Sequence, residues 1–329
     1  MSMIVSRANL SLGLLALCLA CPSVLAQPAA APPAAAAPSA AQGAATVTTS
    51  DGVALAYTAA GQGIPCLFVH GGPGSGSEVV QRLAGEVLEK RFRMVYLDQR
   101  GSGRSASDPH KDYSLERVVQ DMEELRASLK IDKWVLMPHS FGGIIATAYA
   151  RKHPDRVAGM VLMNGILHLP ASMESTVTHG YALLPADARP PLDPAAPLPQ
   201  RFGMVMGLLG QARLTGRLMY ADPATEARVG AAMRGLAANR DFASTLFASG
   251  AIAGYAHDMA PATAGLAMPV LVISGKEDHV SGAEHYRSFR FPRQQVVLVP
   301  GRHFSMIEQP AEVGRALDGF AASLRALAL

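Results

Sequence analysis

The sequence predicts an α/β protein, a mostly parallel central sheet with helices on both faces and an inserted helical cap. Short apolar, β-branched runs at 66–69, 94–97, 134–137, 157–163, 270–273 and 296–299 are too short for helices and read as buried strands. Helical patterns lie between them, and strands alternating with helices give a parallel sheet whose ligands bind at the carboxyl ends of the strands. The alternation breaks over 168–254, where stretches rich in Met, Leu and Ala flank a Pro-rich segment at 185–199, the sign of an insertion. The core is therefore expected over 46–167 and 255–329, with the cap between them.

The chain has 329 residues, of which 49% are apolar and 17% charged, so it can bury a sizeable core. Its first 26 residues hold Arg7 in a basic start, an apolar run at 10–20, and the small residues Val24 and Ala26 before a cleavage point. This pattern is expected of a secretory signal peptide. The apolar run is shorter than the roughly 20 residues that span a bilayer, so no stable membrane insertion is expected after cleavage. Cys21 follows Cys18, Leu19 and Ala20, a poor match to a lipoprotein signal. Removal of the leader would leave Cys66 as the remaining cysteine of three, so packing and not a disulfide must hold the mature fold. Residues 27–45 are almost entirely Ala and Pro and read as an extended linker. The expected address is the periplasm or the medium.

From Thr46 the pattern is of two short strands around Asp51-Gly52, a dipeptide suited to a hairpin because glycine accepts positive φ. The clearest helix runs over 114–130, with Leu115, Val118, Val119, Met122, Leu125 and Leu129 on one face and Ser114 as N-cap. The net charge of +3 falls to +2 without Arg7, and no stripe of Lys or Arg follows a helix face, so nucleic acid is not expected as a partner. No fixed-period repeat is present.

Met137-Pro138-His139-Ser140-Phe141-Gly142-Gly143 follows one strand and opens a helix over 144–152. A serine on such a turn is held out of the sheet, and the N–H of Phe141 points where an oxyanion forms at a helix N-terminus. Pro138 replaces the first glycine of G-x-S-x-G, which a strand end tolerates because no ladder N–H is needed there. His70-Gly71-Gly72-Pro73-Gly74 also follows a strand, and Gly72 is expected to present the second oxyanion N–H. A phosphate loop is disfavoured, since no Gly-Lys-Ser/Thr follows and the glycines at 72, 74 and 76 do not fit G-x-G-x-x-G.

A nucleophilic serine needs a base, and the base an acceptor that fixes its tautomer. Asp278 lies just after the strand at 270–273 and His303 just after the strand at 296–299. The order Ser140, Asp278, His303 is a known triad order. Glu277 and His279 are the alternatives one residue away, while Asn164, after the strand at 157–163, cannot supply the carboxylate. No metal-ligand spacing appears, so neither metal nor other cofactor is expected.

With these residues in place, the chain resembles the α/β-hydrolase superfamily over about residues 46–325. The two motifs His70-Gly71-Gly72-Pro73-Gly74 and Asp98-Gln99-Arg100-Gly101-Ser102-Gly103-Arg104-Ser105 look like those of its prolyl iminopeptidase branch. The resemblance implies a serine hydrolase that removes N-terminal proline from short peptides. The same motifs occur in esterases, lactonases and carbon–carbon bond hydrolases, so a carboxylesterase or lactonase acting on a small molecule is the alternative. A non-catalytic binding protein on the same fold is the remaining one. In the iminopeptidases, acidic cap residues, often in a Glu-Asn-His-Tyr type of segment, hold the substrate amine. That segment has no counterpart here: the cap offers Glu174, Asp187, Asp193, Asp222, Glu226 and Asp241 in other contexts, and 242–247 is apolar. The turn at Arg100 to Gly103 reads as structural.

Overall fold

A computed structural model describes residues 44–237 and 239–327. The expected signal peptide and residues 27–43 of the expected linker lie outside the described residues. Strand β1 (Ala45–Thr48) already begins at the residue expected to end the linker. It pairs antiparallel with β2 (Ala54–Ala60). The hairpin connection is wider than the two residues Asp51 and Gly52: it spans 49–53, closed by the Thr49 N–H to Val53 O at 2.9 Å. Gly52 has the expected positive φ, +88°.

The chain then alternates through β3 (Pro65–Val69), α1 (Glu78–Glu89), β4 (Arg93–Leu97), α2 (Leu115–Ser128), β5 (Trp134–Pro138), α3 (Gly142–Lys152) and β6 (Val157–Met163). Ser114 caps α2 by accepting from the Arg117 N–H, as its sequence position predicts. Helices α4 (Leu169–Leu183), α5 (Leu198–Gln211), α6 (Thr215–Met219), α7 (Pro223–Met233) and α8 (Asp241–Ser249) follow, within the expected insertion. The core resumes with β7 (Val270–Gly275), β8 (Gln294–Val299), α9 (Ser305–Glu308) and α10 (Pro310–Leu327). Strand β8 starts two residues before the predicted run, at Gln294. The run at 296–299 is not the buried strand expected: on this edge strand Val296 and Leu298 are exposed and only Val299 is buried, and the polar start carries no hydrophobic signal.

Among the described residues the strands form one eight-stranded sheet in the order β1-β2-β4-β3-β5-β6-β7-β8. From β4 and β3 through β8 every pairing is parallel. Side chains alternate across this sheet. Leu67, Val69, Val95, Leu97 and Leu136 face a cluster with Val118, Met122 and Leu125 of α2 and Ile145 of α3. Cys66, Phe68, Met94, Val135 and Met137 face the opposite cluster, with Val80 and Leu88 of α1 and Leu317 and Phe320 of α10. The two-sided burial explains why these strands read as continuous apolar runs. A third cluster belongs to the cap: Val177, Leu184, Val205, Met206, Leu209 and Leu218, joined by Val280 of the core.

Two buried ions tie loops of the core together. Arg100 is fully buried and binds Asp121 at 2.6 Å, Asp51 at 2.8 Å and Asp108 at 3.1 Å. It thereby ties the β1–β2 connection to α2. Asp98 accepts from the Ser77 N–H and Oγ, each at 2.7 Å, and from Arg104 Nε at 2.7 Å, joining the loops after β3 and β4. Among the described residues no helix is long and apolar enough to cross a membrane.

Candidate active site

Three loops at the carboxyl ends of β5, β7 and β8 bring Ser140, Asp278 and His303 together. Pro138 closes β5 in register with Val69. The next N–H groups resume the pairing, His139 to Val69 O at 3.0 Å and Ser140 to Met163 O at 3.4 Å. Ser140 then adopts φ of +54°, the left-handed region. This costs a non-glycine residue roughly 1–3 kcal/mol and is held by surrounding bonds: the Ser140 carbonyl accepts from Gly143 N at 2.9 Å and Ile166 N at 2.8 Å. The helix after the turn must pass close to β3. A Cβ on Gly142 would stand 2.2 Å from Val69 O, so only glycine fits.

His303 Nε2 accepts the Ser140 hydroxyl at 2.8 Å. Its Nδ1 donates to Asp278 Oδ1 at 3.0 Å and Oδ2 at 3.1 Å. Serine, imidazole and carboxylate are all buried, with Ser140 6% exposed. Burial alone would raise the Asp278 carboxyl, but the adjacent His303 and bonds from His303 and Asn164 hold it well below the ordinary carboxylate range. It is therefore an anion wherever the protein is folded near neutrality. Of the alternatives one residue away, Glu277 is solvent-exposed, 3.7 Å from Arg302, and His279 stacks on His179 at 3.7 Å between centroids.

The loop of His70 to Gly74 lies against the serine. A Cβ added to Gly71 would stand 2.7 Å from Ser140 Cβ and 3.2 Å from its Oγ. His70 Nδ1 donates to Gly71 O at 2.9 Å, which leaves Nε2 to accept the Gln99 N–H at 3.0 Å. The Gln99 side-chain amide returns a bond to His70 O at 2.8 Å. Gly72, with φ of +116°, follows at once. Among the described residues neither its N–H nor that of Phe141 meets a protein acceptor.

Several residues of the site carry no chemical signal in the sequence. Asn164, fully buried after β6, donates to Asp278 Oδ2 at 2.8 Å. His139 donates from Nε2 to His303 O at 2.8 Å, and burial pulls its pKa down to about 3, so it stays neutral. Ser281 and Val280 offer their N–H groups to Asp278 Oδ1 at 3.1 and 3.0 Å. Position directly after a strand is the available signal for Asn164. The rest depends on contacts across more than a hundred residues of chain or on backbone groups that every residue has.

Cap helices reach the loops of both Asp278 and His303. From α4, Ser172 Oγ donates to Val280 O at 2.6 Å and Ser175 Oγ to His279 O at 2.7 Å. At the end of α6, Met219 O accepts the His303 N–H at 3.1 Å. Helix α8 is stitched to the core by Phe242 N to Gly101 O at 3.0 Å and by Phe242 packing on Tyr113, Phe141 and Tyr255. Most of the cap acids noted in the sequence hold structure. Glu174 pairs with Arg201 at 2.8 Å, Asp193 accepts from Ala195 N at 2.9 Å, Asp222 caps α7 through Thr225 N at 2.9 Å, and Asp241 binds Lys111 at 2.6 Å. Glu226 lays its carboxylate over Gly216.

A proline iminopeptidase of Neisseria gonorrhoeae is 40% identical over 112 residues, covering 33% of this chain and 35% of the relative. The chain thus spans about a third of that curated relative's length. A proline iminopeptidase-related protein of Thermus thermophilus superposes with a TM-score of 0.71 at 23% identity, covering 87% of this chain and 99% of that one. A thermophilic esterase of Thermogutta terrifontis gives 0.63 at 23% identity, covering 86% and 99%. Both share the fold. The model of the alpha/beta hydrolase fold family matches residues 64–310, more than half of the 329. A match of that extent, on a parallel sheet with Ser140, Asp278 and His303 at its strand ends, places the chain in the α/β hydrolase fold family.

Proposed function

We propose that the protein is an exported serine hydrolase that cleaves a small ester or amide through an acyl-enzyme, with Ser140 as nucleophile, His303 as base and Asp278 as its orienting carboxylate. The observation that carries this reading is the unbroken relay from Ser140 Oγ to His303 Nε2 at 2.8 Å and from His303 Nδ1 to Asp278 at 3.0 Å. Attack of Oγ on a carbonyl carbon passes the serine proton to Nε2, and the imidazolium gives it to the leaving oxygen or nitrogen as that bond breaks. Water, deprotonated by the same imidazole, then releases the acid. Phe141 and Gly72 supply the oxyanion N–H groups, consistent with both being without a protein acceptor among the described residues.

Substrate choice divides two readings. Likeness to proline iminopeptidases, and the motifs at 70–74 and 98–105, favour removal of N-terminal proline from short peptides. The structural duties of Glu174, Asp193, Asp222 and Asp241 favour a carboxylesterase or lactonase, which needs no carboxylate for an ammonium group. The ratio of kcat/KM for a prolyl anilide to that for a short-chain acyl ester separates them, with Ser140→Ala as the blank. A ratio well above one establishes the peptidase and a ratio far below one the esterase. Turnover of neither, with no labelling by a fluorophosphonate, would leave a binding protein.

Gly71→Ala forces a methyl against Ser140, and overpacking of this kind costs about 1–3 kcal/mol. We expect at least about a tenfold loss in kcat/KM, since a misplacement on the scale of 1 Å at the reacting group costs on the order of 10²-fold; wild-type kinetics would refute the contact. Export rests on the leader pattern at 1–26, and N-terminal sequencing of protein from the periplasm or medium should begin near Gln27. Intact Met1 in a cytosolic fraction would refute it.

A further inference from the structure

We propose that Asn164 is a positioning residue for the triad, locking the Asp278 carboxylate in the rotation that His303 requires. The inference rests on the reading of Ser140, His303 and Asp278 as the reacting relay. Asn164 follows β6 with φ of +49°, a conformation asparagine tolerates better than other non-glycine residues. It is fully buried, and every polar atom it owns is used. The backbone N–H donates to Ile273 O of β7 at 2.8 Å, and the backbone carbonyl accepts from Ser281 Oγ at 2.7 Å. The side-chain amide donates to Asp278 Oδ2 at 2.8 Å and to Arg302 O at 3.0 Å, while Oδ1 accepts from Ser305 Oγ at 2.5 Å. One side chain thus bridges the aspartate itself and the segments on either side of His303.

The division of labour on the aspartate explains why an amide is needed. Oδ1 takes the N–H groups of Val280 and Ser281, and Oδ2 takes Asn164. His303 Nδ1 stands almost equidistant from both oxygens, at 3.0 and 3.1 Å. A carboxylate turning about its Cβ–Cγ bond would lose this shared arrangement, and the Asn164 donor opposes the turn on the Oδ2 side. An amide N–H also bonds more strongly to a charged carboxylate oxygen than to a neutral carboxyl, so it favours the ionised acid. A carboxylate of the same shape at 164 would instead face Asp278 within hydrogen-bond distance. Two carboxylates so placed repel one another, and where both are ionised the second negative charge beside Asp278 favours the imidazolium form of His303.

The test is the rate at which a fluorophosphonate phosphonylates Ser140, followed against pH in full-length mature protein. This reaction needs the same neutral imidazole but no knowledge of the substrate. Asn164→Asp retains shape and the acceptor for Ser305. It is expected to lower the plateau rate by about tenfold and to move the midpoint upward by about one pH unit. Asn164→Gly, which suits the positive φ and removes the side chain with its bonds to Asp278, Arg302 and Ser305, is expected to lower the plateau by about 10- to 100-fold. Wild-type profiles in both variants, or losses of thermal stability with no change in the profile, would overturn the proposal. If wild-type protein is not labelled at Ser140, the relay reading fails and this one falls with it.

Discussion

Ser140→Ala is expected to abolish turnover, with kcat falling by at least about 10⁴-fold and the fold unchanged. The serine hydroxyl is the sole reacting oxygen in the proposed relay, and its hydrogen bond at 2.8 Å to His303 Nε2 has no role in holding the sheet. The turn that bears it is fixed through backbone groups, the Ser140 carbonyl with Gly143 and Ile166 and its N–H with Met163. Alanine keeps all of these. It also keeps the demand for φ of +54°, which it meets no better than serine, so only a small stability change is expected. Circular dichroism and thermal melting should overlay on wild type, and the fluorophosphonate adduct should vanish from the mass spectrum. Activity near wild type in this variant would remove Ser140 from the mechanism, whatever the geometry of the triad.

Arg100→Met is expected to cost about 3–5 kcal/mol, because it strands buried carboxylates and does not merely delete an attraction. Against a total stability of roughly 5–15 kcal/mol this is severe. Asp108 and Asp121 are almost wholly buried, and Arg117, at 2.8 Å from Asp121, can replace only part of the lost charge. The dependence on pH distinguishes this mechanism from a packing defect. In the wild type, burial tends to raise Asp51, but bonds from Thr49 and Arg100 and the charges of Arg100 and Arg117 hold it down to about 2. A carboxyl lowered in the folded state contributes stability above its unfolded pKa, about 3.8, and this is lost as pH falls towards 2. Asp121 shows the opposite tendency, raised by its burial in spite of both guanidinium groups. Without Arg100 it should rise further, so the folded variant binds protons that the unfolded chain does not. Stability of the variant relative to wild type should therefore increase as pH is lowered from neutrality, narrowing the gap in Tm. A gap independent of pH would point to lost packing of the arginine stem.

These two residues also mark what the sequence makes legible. Strands β3 to β7 are covered on both faces and so appear as uninterrupted apolar runs, and chemistry sits immediately after them. Ser140 after β5 and Asp278 after β7 are therefore locatable by position and type together, and His303 by its type and its place after the apolar end of β8. Edge strand β8 is different: its first two residues are glutamines, since half its surface faces solvent. Arg100 is readable only as part of a structural turn, because its three acidic partners lie 8, 21 and 49 residues away. Asn164, lacking a carboxylate, offers no triad role by residue type. Its part lies in donating to a carboxylate 114 residues distant, and no local pattern encodes that. In the cap, Ser172 and Ser175 look like ordinary helix residues until the aspartate loop is placed beside them.

The grip of those two serines, together with Met219 on His303 and Val280 inside the cap's own apolar cluster, bears on engineering. Were the sheet and its loops a constant chassis and the inserted helices an exchangeable lid, transplanting the lid would transplant specificity. In this chain such a chimera would lose partners of the aspartate and histidine loops at the same moment as it gained a new binding surface. A graft would have to carry residues 278–282 with the donor's first cap helix, and the donor's equivalent of Met219, before any change in preference is attributed to the pocket.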